Sequence, residues 1–96
     1  MPLATIHVAV DDLRLDGSYE ATGDVLYLSA PDDDKAAAAQ ETPEGHAVRL
    51  DLDGRVTHLT AINARWLLDQ HGELVATLRD GRQLRVTRQN VAGLLG

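Results

Sequence analysis

The sequence predicts a small α+β domain, an antiparallel sheet of about five to seven hairpin-connected strands with one or two short helices against a face. Three observations carry this. Short runs alternate between apolar and polar residues, the signature of half-buried strands. The turn dipeptide Asp-Gly recurs at 16–17, 53–54 and 80–81, between or beside those runs. Only two segments, 63–72 and 87–96, have apolar residues at helical spacing.

The first run, TIHVAV at 5–10, sets Ile6, Val8 and Val10 on one side and Thr5, His7 and Ala9 on the other. LRLDGSYEA at 13–21 reads as a second hairpin with Asp16-Gly17 at its turn, and DVLYLS at 24–29 as the next strand. The stretch 31–45 is bracketed by Pro31 and Gly45 and holds an acidic run and four alanines, with almost nothing large to bury. It reads as an exposed loop, with room for one helical turn or a ragged strand near 38–41. HAVRLDLDGRVTHLTAI at 46–62 forms two strands about Asp53-Gly54.

The segment 63–72 reads as a helix that Asn63 can cap and Gly72 can end. Ala64, Leu67, Leu68 and His71 make its apolar stripe, so Trp66 points the other way with Asp69 and Gln70. ELVATLRDGRQLRVT at 73–87 is the clearest hairpin. A three-residue loop of Arg79, Asp80 and Gly81 pairs Ala76 with Leu84 and Leu74 with Val86. A two-residue loop would set Leu78 against Gln83, so the side-chain pattern selects the longer one. The chain ends in a short helix over 87–96, with Thr87 as cap and Val91, Leu94 and Leu95 on one face. Shared turn chemistry explains the repeated Asp-Gly better than an internal duplication does, because the flanks do not align.

The 96 residues suffice for one domain spanning 1–96 with a modest core. With no cysteine, neither disulfides nor thiolate metal sites are available. No run approaches a membrane span, and the N-terminus lacks the basic region and cleavage site of a signal peptide, so the expected location is cytoplasmic. Residues 1–48 carry ten acids against two bases and residues 49–96 five against seven, giving the net charge of −6. An acidic front half argues against nucleic-acid binding, whose affinity rests on neutralising phosphates.

Tyr19, Asp24, Leu26 and Tyr27, followed by Val48, Leu50, Asp53, Gly54 and the strand from Val56, form a pattern. Over residues 18–64 it resembles domain-of-unknown-function family 2283, a group of small prokaryotic domains. The resemblance implies a fold class and no established activity. Members carry an acid within the last strand, where this chain has Thr60 or Ala61.

Catalytic readings find little support in the residues. Asp24 as a general base would need a converging partner, yet Tyr27 projects to the opposite strand face. Turn closure is the simpler role for a short acid after Gly23. The four histidines, His7, His46, His58 and His71, show no ligand spacing, and no other metal or cofactor motif occurs. Alignment of the 51–54 turn with an EF-hand places Arg49 and Thr60 where acids belong. With Ser18 and Ser29 the only serines and no Cys, no nucleophilic constellation can be named, and enzyme activity is not expected.

The reading that remains is a protein-interaction module. Strands apolar on both sides, such as 24–29 and 58–62, point to a homodimer. Trp66 and the acids Asp32, Asp33 and Asp34 are candidate contacts for a second copy or another small protein. One version is an antitoxin-like partner whose segment 31–45 orders on a basic protein. The alternative is a regulatory nucleic-acid module using Arg79, Arg82, Arg85 and Arg88, although no aromatic residue interleaves with them.

Overall fold

Among the described residues, eight strands and two short helices make an α+β fold with two antiparallel sheets. The computed structural model describes residues 6–10, 13–30 and 37–95. In chain order the elements are β1 (Ile6–Val10), β2 (Leu13–Glu20), β3 (Val25–Ser29), β4 (Ala38–Glu41), β5 (Ala47–Leu50), β6 (Val56–Ile62), α1 (Ala64–His71), β7 (Glu73–Thr77), β8 (Gln83–Thr87) and α2 (Ala92–Leu95). The larger sheet runs β1-β2-β3-β6-β5-β4, and β7 and β8 form a separate hairpin.

Alternation decides which face of the larger sheet is buried. Leu15, Leu26, Leu28, Val48, Leu50, Leu59 and Ala61 point to one side and are buried. Helix α1 docks there through Ala64 and Leu68, and the β7–β8 hairpin through Leu74, Ala76, Leu78, Leu84 and Val86. Val91, with Leu94 and Leu95 of α2, joins the same cluster. Without Phe and with few aromatics, the core is built from Leu, Val and Ala.

The hairpin loop has the register the side chains require. Leu74 pairs with Val86 and Ala76 with Leu84, and Gly81 takes φ +94° in the loop of residues 79–81. Gly81 N–H donates to Leu78 O at 2.9 Å and Leu78 N–H to Arg82 O at 2.7 Å, closing it.

Two expectations are corrected, at Asp16-Gly17 and at His71. Asp16-Gly17 is no turn, since β2 runs straight through it and pairs Gly17 with Ile6 on one side and Leu28 on the other. Gly17 is buried on the core side of the strand, against which α2 packs, and a glycine within a strand permits close approach. Of the stretch 31–45, residues 38–41 form an edge strand paired with β5, in keeping with the ragged-strand reading of 38–41, and Thr42 is buried; residues 31–36 lie outside the described residues. This strand is secured by polar ties where apolar burial is lacking. Gln40 Oε1 accepts from Arg79 N–H at 3.1 Å, and Glu44, in the turn that follows, accepts from Thr77 N–H at 2.9 Å and Thr77 Oγ1–H at 2.6 Å. His71, assigned to the apolar stripe of α1, is exposed.

Candidate functional site

Asp24 carries a carboxylate with three hydrogen-bond donors around it. It takes a left-handed conformation at φ 55°, which Asp tolerates better than most residues. Its carboxylate leaves the turn and caps α1, about forty residues on. Oδ1 accepts from Arg65 N–H at 2.7 Å, Oδ2 from Trp66 N–H at 3.2 Å, and the Asp24 carbonyl from Ala64 N–H at 3.1 Å. One residue thus satisfies three of the four N–H groups that the first turn of a helix leaves open. The Tyr19 hydroxyl donates to Oδ1 at 2.6 Å and holds the carboxylate in place.

Asn63 therefore does not cap the helix by its side chain, contrary to the sequence reading. Its backbone is left-handed, φ 54° and ψ 35°, and its side chain makes no capping bond. Side-chain capping uses an extended residue, whose oxygen then reaches the N–H groups beyond. The C-terminus agrees with expectation: Gly72 is left-handed and its N–H bonds to Leu68 O at 2.9 Å.

The turn before Asp24 belongs to Glu20, whose carboxylate accepts from Thr22 N–H at 3.1 Å and Gly23 N–H at 2.5 Å. A structural role for Asp24 is thus what the geometry displays, through long-range capping rather than turn closure. Partial burial works against ionisation of Asp24, but the bonds from Tyr19, Arg65 and Trp66 outweigh it and hold the carboxyl below its usual range. A carboxylate so depressed and so committed is a poor proton acceptor.

The other motif residues separate. Leu26 is fully buried, whereas its neighbour Tyr27 is 45% exposed on the opposite face of the sheet. At the β5–β6 turn Gly54 takes φ +79°, but Asp51 does the anchoring, accepting from Asp53 N–H and Arg55 N–H at 2.9 Å each. Gly54 O accepts from an Arg82 NH2 group at 2.7 Å, which ties this turn to the β7–β8 loop.

Trp66 projects outward from α1, 57% exposed, and meets His71 edge to face at 6.4 Å. Asp32, Asp33 and Asp34 lie outside the described residues. Three of the four arginines are paired with acids: Arg82 with Asp80 at 2.7 Å, Arg85 with Glu73 at 3.4 Å and Arg88 with Asp69 at 2.7 Å. Arg79 is exposed in the loop. The basic stripe is therefore largely balanced within its own hairpin and helix.

The outer face of the larger sheet was not legible as a unit. Among the described residues, α1, α2 and the β7–β8 hairpin all stand on the inner face. The register places Val25 beside Ile62 and Tyr27 beside Thr60, with Ala47 next to Thr60. Ile62 is 44% exposed. Next to this patch a groove of about 450 Å³ is lined by Ala39, Glu41, Ala47, Arg49, His58 and Thr60 among others. Alternation in each strand was readable; which strands lie side by side was not.

Among the described residues no three His, Asp or Glu side chains converge to hold a metal ion, and no helix is long and apolar enough to cross a membrane. No family model, curated protein or solved structure matches the chain.

Proposed function

We propose that this chain is a non-catalytic protein-interaction module that pairs with a second copy of itself through the outer face of its larger sheet. The observation that carries the reading is the one-sided packing. A six-stranded sheet with helices and hairpin on one face leaves Tyr27 and Ile62 half exposed on the other, with Val25 opposite Ile62 and on the same face as Tyr27. An antiparallel sheet can present one face to water, but that face is then polar, and a contiguous apolar patch marks an interface.

The patch suits a two-fold contact. A protruding tyrosine stands beside a groove on the same surface, so each copy offers a knob and a hole. Glu41 and Arg49 in the groove bring opposite charges to its rim, which a rotated second copy can match. The non-catalytic part of the reading is supported by Asp24 being fully engaged in holding α1.

Sedimentation velocity at micromolar concentration tests the pairing. The wild-type chain should sediment as a dimer, and Tyr27→Glu and Ile62→Glu should each give monomers of unchanged circular dichroism. A monomeric wild-type chain, or a dimer indifferent to both substitutions, rejects this face as the contact.

A further inference from the structure

On the inner side of the fold a second feature stands apart from the outer face. An open concavity of about 390 Å³ lies between the turn before β5, the C-terminal half of α1 and the start of β7. That volume is within the range of small-ligand sites. Its walls are Glu44, His46, Leu67, His71, Glu73, Leu74 and Val75.

His46 is the anomaly. It is 1% exposed, and its Nδ1 accepts from Ile62 N–H at 3.2 Å. A neutral imidazole that accepts at Nδ1 carries its proton at Nε2. Nε2 is buried and has no partner. The ring lines the concavity together with residues of α1 and β7. Buried donors are nearly always satisfied, so one left open beside a cavity calls for an acceptor.

The rest of the wall restricts what that acceptor belongs to. Glu44 is held in one place by Thr77. Glu73 adds a second carboxylate, 3.4 Å from the Arg85 guanidinium. Two acids repel an anionic ligand and attract a cation. Leu67, Leu74 and Val75 supply an apolar surface.

We propose that this concavity binds an α-amino carbonyl group with an apolar side chain. The ammonium sits at the carboxylates of Glu44 and Glu73, the carbonyl oxygen accepts from His46 Nε2–H, and the side chain covers Leu67, Leu74 and Val75. This chemistry occurs in the first residue of a peptide with an apolar N-terminus and in free amino-acid amides.

Titration calorimetry, with ¹H–¹⁵N spectra of the imidazole, tests it on the wild-type chain. Leucinamide should bind saturably and move the His46 Nε2 resonance. N-acetyl-leucinamide, which lacks the cation, and isoamylamine, which lacks the carbonyl, should each bind at least about tenfold more weakly. Glu73→Gln should weaken leucinamide by a similar factor. A Leu-initiated tetrapeptide that binds at least as well as leucinamide identifies a peptide N-terminus as the source; a peptide that fails where leucinamide binds identifies the free small molecule. The proposal is overturned if leucinamide shows no saturation up to about 10 mM. Equal binding of all three compounds overturns it too, as does leucinamide binding that leaves the imidazole unmoved.

Discussion

The Tyr19 hydroxyl bonds to Asp24 Oδ1 at 2.6 Å, and through that carboxylate the β2–β3 turn holds the N-terminus of α1. The acid and the residue preceding the helix, Asn63, share a left-handed backbone, at φ 55° and φ 54°. Glycine fits both positions without strain, so the same change compares the two side chains directly. Asp24→Gly should cost about 2–3 kcal/mol, because it opens two helix N–H groups and the tyrosine hydroxyl. Asn63→Gly should stay within about 0.5 kcal/mol. Urea denaturation measures both, and equal costs would refute Asp24 as the cap.

Tyr19 should titrate late. Burial, then the hydrogen bond and negative charge of Asp24, push its hydroxyl up to about 12 from an ordinary 10.0. Absorbance at 295 nm in a Tyr27→Phe background follows this residue alone, and Asp24→Asn should bring its midpoint down. The sign for stability follows: between pH 10 and 12 the unfolded chain loses the proton first, so stability falls as pH rises. A midpoint that ignores Asp24→Asn would show that the bond does not govern the hydroxyl.

Acid should weaken the fold in two stages. Burial, only partly opposed by Glu44, lowers the pKa of His46 from its ordinary 6.5. Below pH 6.5 the unfolded chain therefore binds a proton that the folded chain refuses, and stability drops as pH falls. Asp24 and Glu44 act lower down. The carboxyl of Glu44 is lowered to about 2, where partial burial is outweighed by its bonds to Thr77. Their contribution is complete above the ordinary carboxyl range of 3.8 to 4.5 and is lost as pH falls through the folded values. Melting temperature against pH should show both stages, and His46→Gln should flatten the upper one alone.

Strand β4 should depend on side-chain ties to the β7–β8 hairpin. Glu44→Ala, paired with Gln40→Ala, removes its ties to Thr77 and Arg79. Amide exchange of residues 38–41 should then speed up by about tenfold or more, while that of β7 and β8 barely changes. Uniform acceleration across both sheets would mean that β4 is not a separately held edge.

These relationships divide along a physical line. The sequence by itself determined what depends on near neighbours: the α+β class, the strands about Asp53-Gly54, the extent of α1 with Gly72 at its end, the outward Trp66 and the register about Gly81. Periodicity places side chains on a face, and turn residues set local φ and ψ, so both are readable within a dozen residues. Local grammar also misleads where packing overrides it. Asp16-Gly17 has turn composition, yet it lies in a strand with partners on both sides. His46 alternates with Val48 and Leu50, a pattern that signals its burial, but no pattern shows that its Nε2 goes unpartnered.

Only the tertiary structure decided the rest. The Asp24 cap spans 41 and 42 positions to Arg65 and Trp66, and the bonds of Glu44 and Gln40 span 33 and 39. A hydrogen bond of that kind leaves no periodic trace, because one acid serves any donor the fold brings within 3 Å or so. The open face of the larger sheet arose in the same way. Each strand recorded its own alternation, but the face became a surface only when β3, β6 and β5 lay side by side with α1, α2 and the β7–β8 hairpin packed behind them.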